Sequence, residues 1–596
     1  MDHNSDTSST AGPSRRRTTH HDLHHLSPEI IVIGAGIAGS ALSYALSHSG
    51  RKVLLLERDL SEPDRIVGEL LQPGGVNALS KIGLANVLEG IDATPVEGYT
   101  ITTGVGGERK VACPYPTLEG TDKNTGKGSK AGGDDEIRAN GHVNNGLSTG
   151  EAGSGLRHRH SNGYTNGGQL NGDTSSAAAQ WHVESASGRK EGRSFHHGRL
   201  IMSLRNRCID DAPNCTVLEA TVKDLIYCDH SSHVIGVNAA FKVPKAGSES
   251  SGNADIKEEM ETVERKVYAP LTIIADGCFS KFRSIPGSRL PPTQTRSTFV
   301  GAIVKDIDLP APRRGTVCLT PSGPVLLYQI GYEARETRML VDVKGKLPSA
   351  ADGSLKRFII DNYVPYLPTN VQPAVTEAVE TQRLRTMPNS FLPPSMQGLS
   401  GHSLRGAIMV GDAYNMRHPL TGGGMTVAFN DAVILSDMLA PGGRLNLKPG
   451  REGLEDWETI AGGLRDWFWE RKHLAGVVNV LSMALYDLFG GADHPEFSVL
   501  QAGCFKYLGL GGEQVAGPVG LLSAITPKPL LLFYHFFAVA LYSIYLLFKQ
   551  GPPAPDGKSN SAPGILAVPN LMWLSMRTFW TACVVLLPVI WTEFKI

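Results

Sequence analysis

Short apolar runs alternate with helical stretches over the first hundred residues. Ile30-Ile31-Val32-Ile33 is four apolar residues long and runs straight into glycine, which reads as a buried strand. Gly34-Ala35-Gly36-Ile37-Ala38-Gly39 follows, then a helical stretch from Ser40 to Ser49 with Gly50 placed to cap it. Val53-Leu54-Leu55-Leu56 predicts a second strand, ending at Glu57. Later runs predict strands over Thr216 to Val222, Leu271 to Ala275 and Ala407 to Val410. Strand and helix in alternation predict an α/β fold with a Rossmann-like parallel sheet.

Three stretches break the pattern. Residues 1–26 are polar and rich in His, Ser, Thr and Arg, and predict a disordered tail that is neither a secretory signal nor a span. Between Gly120 and Gly172 there are 14 glycines in 53 residues, so 117–193 is expected to be a disordered insertion. A second polar patch, 245–264, predicts a long hairpin loop. His158-Arg159-His160 reads as a solvated basic run rather than a metal site.

The C-terminus turns apolar. Residues 529–548 carry no formal charge over 20 positions, about 30 Å of helix and the thickness of a bilayer core. Leu571 to Thr592 is a second such run, with Arg577 near its start and Pro588 near its end. A Pro/Gly linker, Lys549 to Asn570, joins them, and Trp573, Trp580 and Trp591 fit an interfacial belt. Both are expected to be membrane helices, spanning as a hairpin or lying partly in the surface.

Composition narrows the classes. The 596 residues hold 57 Lys+Arg against 58 Asp+Glu, a net charge of -1, which argues against a nucleic-acid partner. Hydrophobic residues are 41% of the chain, which excludes a wholly disordered protein. The 8 cysteines form no CxxC pair, so neither a disulfide scaffold nor a cysteine metal site is expected.

The first strand–turn–helix–strand unit is a complete dinucleotide fingerprint. Gly34 makes the tight turn, Gly36 admits the pyrophosphate, and Gly39 lets helix and strand touch. The amides around Ile37 and Ala38 face the phosphates. Glu57 is placed to accept bonds from the adenosine ribose, and would repel a 2'-phosphate, which disfavours NADP in this pocket. Asp276-Gly277 and Gly411-Asp412 each end a later strand, and Gly422-Gly423-Gly424-Met425 opens a helix. In this order they point to FAD, with Asp412 on the ribityl hydroxyls and the glycine turn on the pyrimidine edge. No second βαβ fingerprint is found for NADPH. Gly509-Leu510-Gly511-Gly512 lacks a preceding strand.

Longer segments are more specific. They are Leu56 to Leu60, Glu62 to Gly75 (including Gly68-Glu69-Leu70-Leu71-Gln72-Pro73-Gly74-Gly75), Phe195 to Arg199 with Ser203-Leu204-Arg205, Ala275 to Arg283, and Gly411 to Pro419. Through them the chain resembles the FAD-dependent aromatic-hydroxylase-like monooxygenases and, within those, the squalene monooxygenase (squalene epoxidase) family, in its fungal form. The resemblance covers about 28–115, 195–243 and 266–596. It implies FAD contacts at Ile37, Ala38, Glu57, Arg58, Arg65, Leu70, Arg205, Val222, Asp412 and Met425. There Arg65 and Arg205 would face the pyrophosphate, and Val222, closing its strand, would hold the adenine. It implies Tyr99 and Gln72 as the site pair beside the flavin. It further implies epoxidation of squalene by dioxygen to 2,3-oxidosqualene through a flavin C4a-hydroperoxide, in sterol (ergosterol) biosynthesis. Electrons would come from NADPH through NADPH–cytochrome P450 reductase. The location implied is the endoplasmic-reticulum membrane, catalytic part to the cytosol, with lipid droplets as a further site.

Val325-Leu326-Leu327-Tyr328 and Phe391-Leu392-Pro393-Pro394 are expected to wall the substrate pocket, and His196-His197 to be structural. The expected organisation is a disordered tail (1–26), FAD-binding segments at 27–115, 195–290 and 401–440, an insertion at 117–193, an interleaved mixed-sheet substrate domain at 291–400, and a helical membrane-anchoring region at 455–596. Two other readings share the fold: a flavin hydroxylase of a prenylated aromatic, and a prenyl-lipid carrier that binds no FAD.

Overall fold

The computed structural model of the chain describes residues 26–117, 189–244, 260–285, 290–394, 396–399, 404–490, 494–553 and 564–594. Most of the expected tail, most of the insertion and the His158-Arg159-His160 run lie outside the described residues.

Ile30–Ile33 pairs in parallel with Val53–Glu57 on one side and Leu271–Ile274 on the other. The seven-stranded sheet around it runs, in space, Met260–Tyr268, Val234–Pro244, Cys215–Tyr227, Val53–Glu57, Ile30–Ile33, Leu271–Ile274, Ala407–Met409. Both faces are covered, so Ile30, Ile31, Val32, Leu55 and Ile273 have no exposed surface. That is why these runs are continuously apolar instead of alternating. Helices α1 (Ile37–His48), α2 (Pro73–Lys81) and α3 (His197–Asn206) follow in the chain. α1 begins at Ile37, three residues before the predicted start, because the glycine turn already has the geometry of a helix entrance. Gly50 sits at φ +97 just past its end, where a left-handed residue is needed.

The second seven-stranded sheet runs Arg385–Phe391, Gln294–Lys305, Glu336–Lys344, Gly323–Gly331, Gly315–Thr320, Gly98–Thr103, Arg109–Pro114. Its last two strands come from before the insertion, so the expected substrate region 291–400 is completed by residues 98–114. Helices α4 (Ser354–Asn362) and α5 (Gln372–Thr381) cover its far face. A three-stranded sheet, Leu70–Leu71, Gly192–Ser194, Thr94–Val96, packs against Gly323–Gly331 of the second sheet.

Three boundaries differ from expectation. Thr117 and Arg189 form a β-bridge and Gly192–Ser194 is a strand, so residues from 189 onward belong to the fold and not to the insertion. The hairpin loop is shorter, because Met260–Tyr268 already pairs with Val234–Pro244. Val222 does not close its strand, which continues to Tyr227 past a bulge between Val222 and Asp224.

Helix α6 (Gly424–Leu439) packs on α1. Beyond it come α7 (Trp457–Gly490), α8 (Pro495–Leu508), α9 (Glu513–Leu522), α10 (Pro529–Gln550) and α11 (Val568–Phe594). Three of these, α7, α10 and α11, are long and apolar enough to cross a membrane, where two were expected. α7 is 67% buried over its apolar window, against 33% for α10 and 22% for α11. Leu530, Tyr534, Leu541, Trp573, Trp580 and Trp591 of α10 and α11 are all more than half exposed, an apolar surface suited to lipid.

Candidate functional site

The glycine turn after Ile33 is built by sterics. Gly34 has φ +100, and a Cβ on it would lie 2.6 Å from the Ala275 carbonyl. A Cβ on Gly39 would lie 1.9 Å from the Gly34 carbonyl, so Gly39 is what lets α1 touch the strand. A Cβ on Gly36 would meet nothing within 4 Å, because Gly36 looks into a cavity of about 740 Å³. The cavity lies between the two large sheets, and no side chain caps the N-terminus of α1 that points at it.

Of the residues expected to hold FAD, Gly34, Gly36, Ile37, Ala38, Glu57, Arg58, Arg65, Leu70, Arg205, Val222, Asp276, Gly411, Asp412 and Met425 all line this cavity. Gly39 does not, in keeping with its packing role. Glu57 already has an internal duty: the Ala35 amide donates to its Oε2 at 2.7 Å, which fixes the turn. Arg205 is buried and donates to the Ala35 carbonyl at 2.9 Å and the Ser61 carbonyl at 2.9 Å, with Glu57 3.5 Å away. It therefore organises the turn as well as lining it.

Asp412 is held by the short turn after Ala407–Met409, with Gly411 at φ +60. Asp412 is open to the cavity, yet the surrounding wall desolvates its carboxyl and pushes it up, and the Arg65 and Arg283 guanidinium groups oppose that. Burial also raises Asp276, whose Oδ1 has no partner among the described residues. Sequence reasoning missed the role of Arg283. Its guanidinium donates to the carbonyls of Gly277 (2.9 Å), Cys278 (2.5 Å), Asp412 (3.2 Å) and Ala413 (3.1 Å), tying the two acidic turns together.

Three observations fit a flavin dinucleotide: the uncapped helix end, the unpartnered Asp276 oxygen, and open space above Gly36, Gly277 and Gly424, where a Cβ would meet nothing within 4 Å. Anion, hydroxyl and ring-edge partners are thus available in sequence along one cavity.

Gln72 and Tyr99 meet as expected. The Gln72 amide nitrogen is hydrogen-bonded to the Tyr99 hydroxyl and donates to the Thr421 carbonyl at 2.9 Å. The Tyr115 hydroxyl donates to Gln72 Oε1 at 2.8 Å, and the two tyrosine rings meet edge-on at 5.9 Å. Tyr115 was not foreseen: it lies 43 positions from Gln72, a separation that no local pattern encodes. Burial raises both phenols, which keeps them protonated; Tyr99 accepts from the Gln72 amide and Tyr115 donates to it. Gln72 is fully buried behind the cavity wall, while Tyr99 lines the wall itself.

Tyr99, Val317, Leu420 and Thr421 also line a second cavity, of about 160 Å³. Its other walls come chiefly from α7 to α11, among them Leu485, Phe497, Val519, Phe536 and Val585, and among the described residues no Asp, Glu, Lys or Arg lines it. Of the pocket walls expected from sequence, Leu326, Leu327 and Tyr328 line the large cavity. Phe391 to Pro394 line neither, and Leu392 packs instead with Cys278 and Met416. His196 bonds Glu336 at 2.8 Å, and His197 bonds the Gly68 carbonyl at 2.9 Å.

Comparison with known proteins agrees with this geometry. A family model described as squalene epoxidase matches residues 268–556, and one described as an NAD(P)-binding Rossmann-like domain matches residues 32–61. The squalene epoxidase erg1 of Aspergillus fumigatus is 38% identical over 586 residues, covering 98% of this chain and 97% of that protein. The squalene monooxygenase of Mus musculus is 37% identical, covering 95% of this chain and 78% of its own length. Among solved structures, Klebsiella pneumoniae HpxO complexed with FAD and uric acid shares the fold, with TM-score 0.51 at 15% identity over 84% of this chain and 97% of that one. Near-full-length identity at this level, on a chain whose fingerprint, acidic turns and glycine turn line one cavity, places the protein in the squalene epoxidase family.

Proposed function

We propose that the chain is an FAD-dependent monooxygenase that epoxidises squalene with dioxygen to 2,3-oxidosqualene, in sterol biosynthesis. The observation that carries the substrate reading is the second cavity: uncharged, walled by helices with lipid-suited outer faces, and meeting the flavin cavity at Tyr99, Val317, Leu420 and Thr421. Squalene offers only alkenes, with no group for acid–base catalysis, so bound FAD, once reduced, supplies the activation of dioxygen. One oxygen atom enters the alkene and the other leaves as water, with NADPH as the source of both electrons.

The protein binds, aims and excludes water. The amides of α1 would hold the pyrophosphate, Glu57 the adenosine ribose, and Asp412 the ribityl chain. The start of α6, after Gly422, would face the pyrimidine edge with its positive end. Tyr99, oriented by Gln72, would present a hydroxyl where the two cavities join, positioning the reacting edge against the alkene. The apolar walls around it keep water from the site.

The chain's one dinucleotide fingerprint, disfavouring NADP by its Glu57, supports delivery of electrons by a separate NADPH–cytochrome P450 reductase. A membrane-associated helical region supports a shared membrane, the endoplasmic reticulum with its cytosolic face, as the meeting place. Reconstitution tests this. Purified chain in detergent with squalene, FAD, NADPH and that reductase should form 2,3-oxidosqualene by mass, and should fail without FAD or without the reductase. NADPH consumption yielding only peroxide would sink the substrate. A colourless protein that binds squalene without turning it over would favour a carrier.

A further inference from the structure

The last described turn of the chain lies inside the catalytic core. Glu593, at the end of α11, is 1% exposed. Arg417 donates to its Oε1 at 2.5 Å and Lys472 of α7 donates to its Oε2 at 2.6 Å. Arg417 also donates to the carbonyls of Leu392 and Met416. It belongs to the segment Asn415 to His418, every residue of which lines the flavin cavity. α7 grips the same segment from the other side: Asn415 and Asn479 exchange side-chain hydrogen bonds at 3.3 and 2.9 Å, and Ser482 donates to the His418 carbonyl at 2.7 Å. Glu593 itself lines neither cavity.

The electrostatics give this carboxylate a specific task. Arg417 and Lys472 are two buried cations facing one acid. The neighbouring acid Asp431 is engaged bidentately by Arg471, at 2.8 and 2.7 Å. Removing Glu593 would leave Arg417 and Lys472 buried with a shortfall of negative charge, and of the two it is Arg417 whose own segment forms the cavity wall. The outer face of the same helix exposes Trp580 and Trp591.

We propose that Glu593 is a positioning residue for the flavin-facing segment Asn415 to His418, acting through Arg417, so that the seating of the C-terminal helix is transmitted to the cofactor. This rests on the flavin reading of the large cavity. The test uses the full chain in detergent, comparing Glu593→Gln, Glu593→Asp and Arg577→Gln. Arg577, also on α11, pairs with Glu496 of α8, an ion pair that does not reach Arg417 or its segment. Glu593→Gln should weaken FAD binding at least five-fold and cut oxidosqualene formed per NADPH oxidised about ten-fold, with the KM for squalene little changed. Glu593→Asp should recover at least half of the coupling, and Arg577→Gln should match wild type. If Glu593→Gln does not fold, the pair Lys472→Met and Lys472→Met/Glu593→Gln replaces it, the double variant being expected to lose coupling relative to the single. Wild-type FAD affinity and coupling in the Glu593 variant, or an equal loss in Arg577→Gln, would overturn the proposal. A wild-type chain that binds no flavin would instead overturn the flavin reading beneath it.

Discussion

Tyr99 is the residue where the two cavities meet, and its hydroxyl is the chain's clearest candidate for aiming the reaction. Removing it in Tyr99→Phe leaves Gln72 still bonded to Thr421 and Tyr115, so the wall should stand. FAD content should be unchanged, while oxidosqualene per NADPH should fall about ten-fold, the scale of one positioned hydrogen bond. Flavin absorbance and product mass on the same sample check both halves. His197 gives a second prediction. Burial lowers its pKa to about 4, while the Gly68 carbonyl bond works against that and the Arg65 and Arg205 charges reinforce it. An unfolded histidine titrates near ~6.5, so between about 6.5 and 4 the unfolded chain binds more protons. The stability from the neutral ring is therefore complete above that window and lost as pH falls through it, a cost on the order of 3 kcal/mol at the acid end. Thermal midpoints from pH 7.5 to 4.5 should fall less steeply in His197→Gln than in wild type. Parallel slopes would contradict the assignment.

At the scale of the element, the glycine turn separates two kinds of requirement. Gly39→Ala places a Cβ on the Gly34 carbonyl and should prevent the strand and α1 from packing, giving insoluble protein. Gly36→Ala meets only open cavity, so it should fold with a melting point near wild type in the absence of flavin, yet bind FAD at least ten-fold more weakly. Solubility and flavin titration distinguish the two. This part of the site was legible in the sequence because its demands are local: a backbone that must turn, approach and pack within six residues. Arg283 was quoted there only as part of a motif. Its carbonyl partners at Asp412 and Ala413 lie some 130 positions away, a separation no local pattern encodes. The apolar cavity was invisible for the same reason. Its walls come from strands near residues 100 and 317 and from several helices beyond 480. Phe391 to Pro394 were misjudged because an apolar run reads alike whether it faces a pocket or the core, and here Leu392 is wholly core.

For the whole molecule, the C-terminal region proves to be more than an anchor. α10 and α11 were legible as lipid-facing because each is a long apolar run with few charges. α7 was not, since Arg471 and Lys472 break its hydropathy, and only their burial against Asp431 and Glu593 explains how such a helix stays inside. Truncation is therefore not a route to a soluble catalytic domain. A chain ending at Lys528 removes Leu532, Phe536 and Val585 from the apolar cavity and Glu593 from Arg417. It should lose both flavin retention and epoxidation even in detergent, measured by flavin content after gel filtration and by product mass. The division of labour that results is a sheet with a parallel core and two antiparallel edge strands that grips the cofactor, a mixed sheet that roofs it, and a membrane-associated helical layer that supplies the hydrocarbon chamber.

Flavin monooxygenase chemistry fixes where the epoxide oxygen comes from. The reconstituted enzyme turned over under ¹⁸O₂ in ordinary water should give 2,3-oxidosqualene carrying one ¹⁸O atom, with the second appearing in water, and turnover under ordinary dioxygen in H₂¹⁸O should give unlabelled product. An epoxide labelled from water, or NADPH oxidation that yields only peroxide in the presence of squalene, would contradict it.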